Sequence, residues 1–160
     1  DTGRLDQVSR GVYTLPEVWE DEFVSIQERY KRGVFALDSA LFLHDLTDRT
    51  PHKFHMAFPY GYNTSSPKAA GILCSCKKEP YYSLGIALVD TPAGNTVRAY
   101  NAEKTLCEIL KPISHTDIQI ITDAFKRYAG RKDKNIPLLS EYAHQLRVEK
   151  RLRPYLEVLL

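Results

Sequence analysis

Residues 96–110, Thr-Val-Arg-Ala-Tyr-Asn-Ala-Glu-Lys-Thr-Leu-Cys-Glu-Ile-Leu, change their hydrophobic period part-way. Thr96 to Tyr100 alternates as a half-buried strand does, because successive strand side chains point to opposite faces. From Ala102 the apolar positions Leu106, Ile109 and Leu110 fall at helical spacing, and Glu103 lies in the first turn, where a carboxylate meets the positive end of the helix dipole. A strand that runs directly into a helix is the building step of a layered domain. The fold class expected is therefore α/β (α+β), a mixed β-sheet wrapped by helices.

Upstream, residues 70–76 and 81–89 are short apolar or alternating runs that read as strands of the same sheet, separated from each other by Lys77-Lys78-Glu79-Pro80. Asp90 to Asn95, with Pro92 and Gly94, is the turn before residue 96. Residues 53–58 alternate enough for a further strand, and 59–67 is a loop by composition. Residues 33–37 lead into Asp38-Ser39, either of which can accept from the free amides of a short helix over 40–46. Before them, residues 19–31 read as a helix with Trp19, Phe23, Ile26 and Tyr30 on one face, stopped by Gly33. Downstream the chain stays helical. Residues 116–129 carry Ile118, Ile121, Ala124, Phe125 and Tyr128 on one face, 130–135 is a charged connector, and Pro137 heads a helix over 138–146. Residues 148–160 follow, with Leu152, Leu156, Val158 and Leu159 apolar, so a carboxyl-terminal helical subdomain is expected.

A chain of 160 residues buries roughly 68–70% of its unfolded surface, enough for one well-cored domain with a small appendage. Its 22 basic and 20 acidic side chains leave a net charge of only +2, so any nucleic-acid footprint must be local rather than global. Cys74, Cys76 and Cys107 are odd in number and lack disulfide-framework spacing, and no apolar run is long enough to span a bilayer. A reduced, cytoplasmic protein is expected, without a secretory signal and without a membrane partner.

The first sixteen residues carry a separate signal. Arg4-Leu-Asp-Gln-Val-Ser-Arg10-Gly11-Val-Tyr13-Thr-Leu-Pro16 is two alternating runs meeting at Arg10-Gly11, the pattern of a hairpin wing in a winged helix. Residues 1–16 are read as that wing and 17–160 as the main domain. Because the chain opens on Asp1, the earlier helices of the winged helix are expected to have been cut away or left out.

In order along the chain, the wing ending Arg10-Gly11-Val12-Tyr13-x-Leu15-Pro16, the run Asp38-Ser39-Ala40-Leu41-x-Leu43-His44-x-Leu46, the strand-to-helix step Tyr100-Asn101-Ala102-Glu103-Lys104-Thr105-Leu106 and the closing Leu152-Arg153-Pro154-Tyr155-Leu156-Glu157 resemble the AbiEi family. These are bacterial antitoxins and transcriptional regulators of type IV toxin–antitoxin (abortive infection, phage defence) systems, partners of nucleotidyltransferase toxins. Two departures are the Lys104 and Glu108 positions, where the family pattern often has Arg and Asp, and the recognition helix of the winged helix, which this sequence does not include. The resemblance implies a chain that represses its own operon by binding double-stranded operator DNA and neutralises the toxin without a stable complex. It implies no catalysis, and the residues themselves give no motif for a cofactor or a metal.

The residues expected at DNA are Arg4, Arg10 and Tyr13 of the wing, Arg29, Lys31 and Arg32 at a helix end, and Lys126, Arg127, Arg131 and Lys132 with Lys134 near the charged connector. Solvated helix ends and dipole partners are the plain reading of the same side chains. Two rival functions come from other classes: a metal-dependent nuclease-like enzyme built on Asp90, Glu103 and Lys104, and a protein-interaction module that binds a toxin directly. Cys74 and Cys76 with His52 and His55 can be drawn as a zinc set, but a Cys-x-Cys pair on a strand has the wrong spacing for a structural site. His44-Asp45 is a poor acid–base pair, since adjacent helical side chains diverge. Tyr60, Tyr62, Tyr81 and Tyr82 suit base stacking, or half-buried packing.

Overall fold

The computed structural model describes residues 21–159. The wing, with Arg4, Arg10 and Tyr13, and the start of the 19–31 helix at Trp19 lie outside the described residues, as do the side chains of Val158 and Leu159. Five strands form one mixed sheet: β1 (Val34–Phe35), β2 (His55–Pro59), β3 (Leu73–Lys77), β4 (Ile86–Asp90) and β5 (Thr96–Tyr100), in the order β3-β2-β1-β5-β4. β1 pairs antiparallel with β2 and parallel with β5, β2 is parallel to β3, and β4 is antiparallel to β5. The α/β class and the mixed sheet read from the sequence are what the described residues adopt.

Alternation along the strands sorts the core. Phe35, Met56, Phe58, Val97 and Ala99 face one side, where α1 (Glu22–Arg29) covers them with Phe23. Phe23 meets Phe35 edge-on at 5.1 Å and Phe54 at 4.9 Å, a geometry that favours the ring quadrupoles. Val34, Ala36, Ala57, Tyr82 and Tyr100 face the other side. There α4 (Ala102–Ile109) leads into a helical layer of α5 (Ile118–Ala129), α6 (Ile136–Leu146) and α7 (Glu149–Leu159), cored by Leu106, Phe125, Leu139 and Leu146. Pro137 stands in the first turn of α6, where its missing N–H costs nothing.

Several expected elements are corrected. α2 runs Leu37–Leu43 rather than over 40–46, and neither Asp38 nor Ser39 caps it. The Ser39 hydroxyl instead accepts the His55 amide at 2.9 Å, tying α2 to β2. Residues 59–67 are not all loop, since α3 (Ser65–Ala69) begins among them, around the buried Pro67. The apolar run 81–89 yields a strand only from Ile86; residues 81–85 turn, because the Tyr81 and Leu84 carbonyls are taken by Lys104. Ile118, placed on the buried face of α5 by spacing, is 63% exposed at its first turn, beyond the edge of the core.

Candidate functional site

The second and third segments of the resemblance meet at the end of β5. Asn101 caps α4, its side-chain oxygen accepting the Lys104 amide at 2.8 Å. That cap fixes the direction in which Lys104 enters the core, and its ammonium donates to the carbonyls of Tyr81 at 2.8 Å and Leu84 at 2.7 Å. The same Nζ lies 3.7 Å from the Tyr100 ring centroid and 3.9 Å from Glu108 Oε2. Burial pushes Lys104 down to about 8, with the Glu108 carboxylate pulling the other way. Two carbonyls and an aromatic face also favour the ammonium, so we assign it charged at neutral pH.

His44, from the end of α2, reaches the same junction. Its Nε2 lies 2.8 Å from the Tyr100 carbonyl, which can only accept, so Nε2 carries the proton. Burial lowers its pKa, and nearby Arg131 adds to the lowering. The His44 carbonyl in turn accepts Arg131 Nη1 at 2.7 Å. Glu103 accepts the Tyr128 hydroxyl at 2.6 Å, and that hydroxyl accepts the Asn135 amide at 2.7 Å. These bonds make one connected frame joining α2, β5, α4 and the α5–α6 connector.

The basic residues expected at DNA divide by environment. Arg29, Lys31 and Arg32 are exposed at the end of α1, while the Lys31 and Arg32 carbonyls hold Arg98 and Tyr82. Arg127 pairs with Asp123 at 2.9 Å. Arg131 forks onto both oxygens of Asp133 at 2.9 Å besides gripping His44, and Lys134 donates to the Arg131 carbonyl. Arg131 is therefore a structural clamp, a role its position in a charged connector does not reveal. Lys126 and Lys132 are exposed and carry no ion pair among the described residues.

The other candidate sets are not brought together. His55 Nε2 bonds the Ser75 hydroxyl at 2.7 Å, on the face of β3 opposite Cys74, whose thiol donates to the Ile72 carbonyl. Asp90 pairs with Thr96 at the far end of β5, roughly 13 Å of strand from Tyr100, at which the chain enters the helix that carries Glu103 and Lys104. Among the four tyrosines, Tyr82 is buried and donates to the Arg32 carbonyl, Tyr62 stacks on Phe58, and Tyr60 is 69% exposed beneath Lys78. Among the described residues, no three His, Cys, Asp or Glu gather closely enough to hold a metal. No helix among them is long and apolar enough to cross a membrane.

A feature the residue patterns did not reveal is a cleft of about 740 Å³ beside the edge strand β3. Its lining includes Lys53, Lys68, Lys77 and Lys111, the carboxylates of Asp38 and Glu108, and His55 and His115. Glu108 is 3% exposed; its Oε2 forms an ion pair with Lys77 Nζ at 2.8 Å, and its Oε1 has no hydrogen-bond partner among the described residues. Burial drives His55 down to about 4, so it is neutral at pH 7. Leu37, in the lining, holds φ +49°, a conformation a branched side chain rarely adopts. The lysines are dispersed along the chain from 53 to 111, and only the parallel β2–β3 pairing and the end of α4 bring them to one wall.

No family model matches the chain, and no curated protein matches it.

Proposed function

We propose that this chain belongs to an AbiEi-like antitoxin and operon repressor, acting against a nucleotidyltransferase toxin and binding double-stranded operator DNA in the cytoplasm. The observation that carries the reading is the bond between His44 Nε2 and the Tyr100 carbonyl at 2.8 Å. It joins two of the segments on which the resemblance rests, and Lys104 and Glu103 of the second are buried in the same frame. In this reading the frame holds the larger domain rigid, and DNA contact comes from the wing residues Arg4, Arg10 and Tyr13 with exposed cations such as Arg29, Lys31, Arg32, Lys126 and Lys132.

The repressor role is tested with the DNA immediately upstream of the gene, by fluorescence anisotropy across a salt series. Binding is expected to weaken as salt rises, and Lys126→Glu with Lys132→Glu is expected to flatten the slope by roughly two phosphate contacts. Affinity and slope unchanged in that variant would remove these two lysines from the interface. Absence of binding to the upstream DNA would remove the repressor role.

A further inference from the structure

We infer that the cleft beside β3 is a binding site for a nucleoside phosphate, a function separate from the antitoxin reading and independent of it. Three observations converge there. Four lysines, Lys53, Lys68, Lys77 and Lys111, outnumber the two carboxylates of the lining, and the buried ammonium of Lys104 stands 3.9 Å behind Glu108. The cleft is thus a concave basic surface, which suits a phosphate ester. Leu37, Ile72, Leu73 and Ile113 give it an apolar wall, and Leu73 and Ile113 are 47% and 81% exposed with nothing of the described chain covering them. A flat ring is the complement of such a wall. The third is Glu108, whose Oε2 pairs with the Lys77 ammonium at 2.8 Å while its other buried oxygen, Oε1, has no hydrogen-bond partner among the described residues.

A buried carboxylate oxygen without a donor is costly even in an ion-paired group, and a ligand that supplies a donor to Oε1 relieves that cost. Inorganic phosphate satisfies the lysines alone. A purely apolar ligand satisfies the wall alone, and a cationic ligand is repelled by the lysines. A nucleoside phosphate carries all three complements: an anion for the lysines, a ring for Leu73 and Ile113, and sugar hydroxyl or base N–H donors for Glu108. The volume of about 740 Å³ lies within the range of single-ligand pockets. His55, neutral and bonded to Ser75, contributes a polar wall without adding charge.

The chemistry is shared by a free nucleotide and by a nucleotide within a strand, and the test separates them. The 160-residue chain is titrated calorimetrically with each of the four nucleoside monophosphates, with inorganic phosphate, with the free nucleosides and with a short single-stranded oligonucleotide. At least one monophosphate is expected to bind more tightly than phosphate or its nucleoside, and to weaken tenfold or more in Lys53→Glu combined with Lys111→Glu. Ile113→Ser is expected to weaken the monophosphate while leaving phosphate unchanged. Both changes lie at the cleft's surface, and a circular dichroism melt checks that the fold is kept. Monophosphate binding without strand binding assigns the site to free nucleotides; strand binding lost in the same lysine variant assigns it to nucleic acid. Binding of none of these, or binding unaltered by the lysine variant, overturns the inference.

Discussion

Arg131 Nη1 donates to the main-chain carbonyl of His44 at 2.7 Å, across 87 residues of sequence. The bond closes the helical connector onto the end of α2, and the forked pair with Asp133 holds the guanidinium in place. Arg131→Ala is expected to destabilise the fold by about 1–3 kcal/mol in urea unfolding, the range for a hydrogen bond with a charged partner. Lys132→Ala, one residue on and exposed, is expected to change stability by less than about 0.5 kcal/mol. Equal effects would show that Arg131 is merely another solvated cation.

Lys104 is a fully buried charged side chain. Lys104→Met leaves the Tyr81 and Leu84 carbonyls without a donor and Glu108 without its second cation. A loss of about 3–5 kcal/mol is expected, as for breaking other buried charged networks. A loss below about 1 kcal/mol would mean that the ammonium's contacts contribute little net stability.

Gly85 and Gly94 separate backbone strain from collision. Both have positive φ, +82° and +89°, but a Cβ on Gly85 would lie 2.8 Å from Lys104 Cβ, whereas one on Gly94 meets open space. Gly94→Ala should cost about 1 kcal/mol through the left-handed backbone alone. Gly85→Ala should cost at least about 2 kcal/mol, since overpacking adds to the strain. Identical thermal shifts in the two variants would contradict this placement of Lys104.

Acid sensitivity follows from His55. Its folded pKa, lowered by burial to about 4, lies below the ordinary 6.5, and Glu108 and Lys77 pull it in opposite directions. The unfolded chain therefore binds protons that the folded chain refuses. Stability is fully present above about pH 6.5 and is lost as pH falls from there toward 4, by up to about 3 kcal/mol. His44, also lowered by burial, acts in the same direction. Urea midpoints at pH 7 and pH 4.5 should converge in His55→Gln relative to the parent. An unchanged acid dependence would place the sensitivity elsewhere.

The sheet and the main helices were legible because their periods are clean. Thr96–Tyr100 forms as read, and the switch to helical spacing at Ala102 marks a real strand-to-helix step. Misreadings arise where tertiary contacts override local pattern. Residues 81–84 are apolar enough for a strand, yet the Tyr81 and Leu84 carbonyls turn inward to hold Lys104. Ser39 looks like a cap and is instead a bridge to His55. Arg131 sits among solvated cations in sequence and proves to be a clamp. The cleft was invisible because its four lysines come from separated segments, with no motif to link them before the strands pair.

The central claim is antitoxicity, and colony survival tests it most directly. The 160-residue chain is co-expressed, from an unrelated promoter, with the nucleotidyltransferase encoded beside its gene, and soluble accumulation of the chain is checked in the same cells. Restored survival is the expected result, and Arg131→Ala should reduce it only as far as it reduces the amount of folded protein. Undiminished killing in cells that accumulate the folded chain would contradict the account.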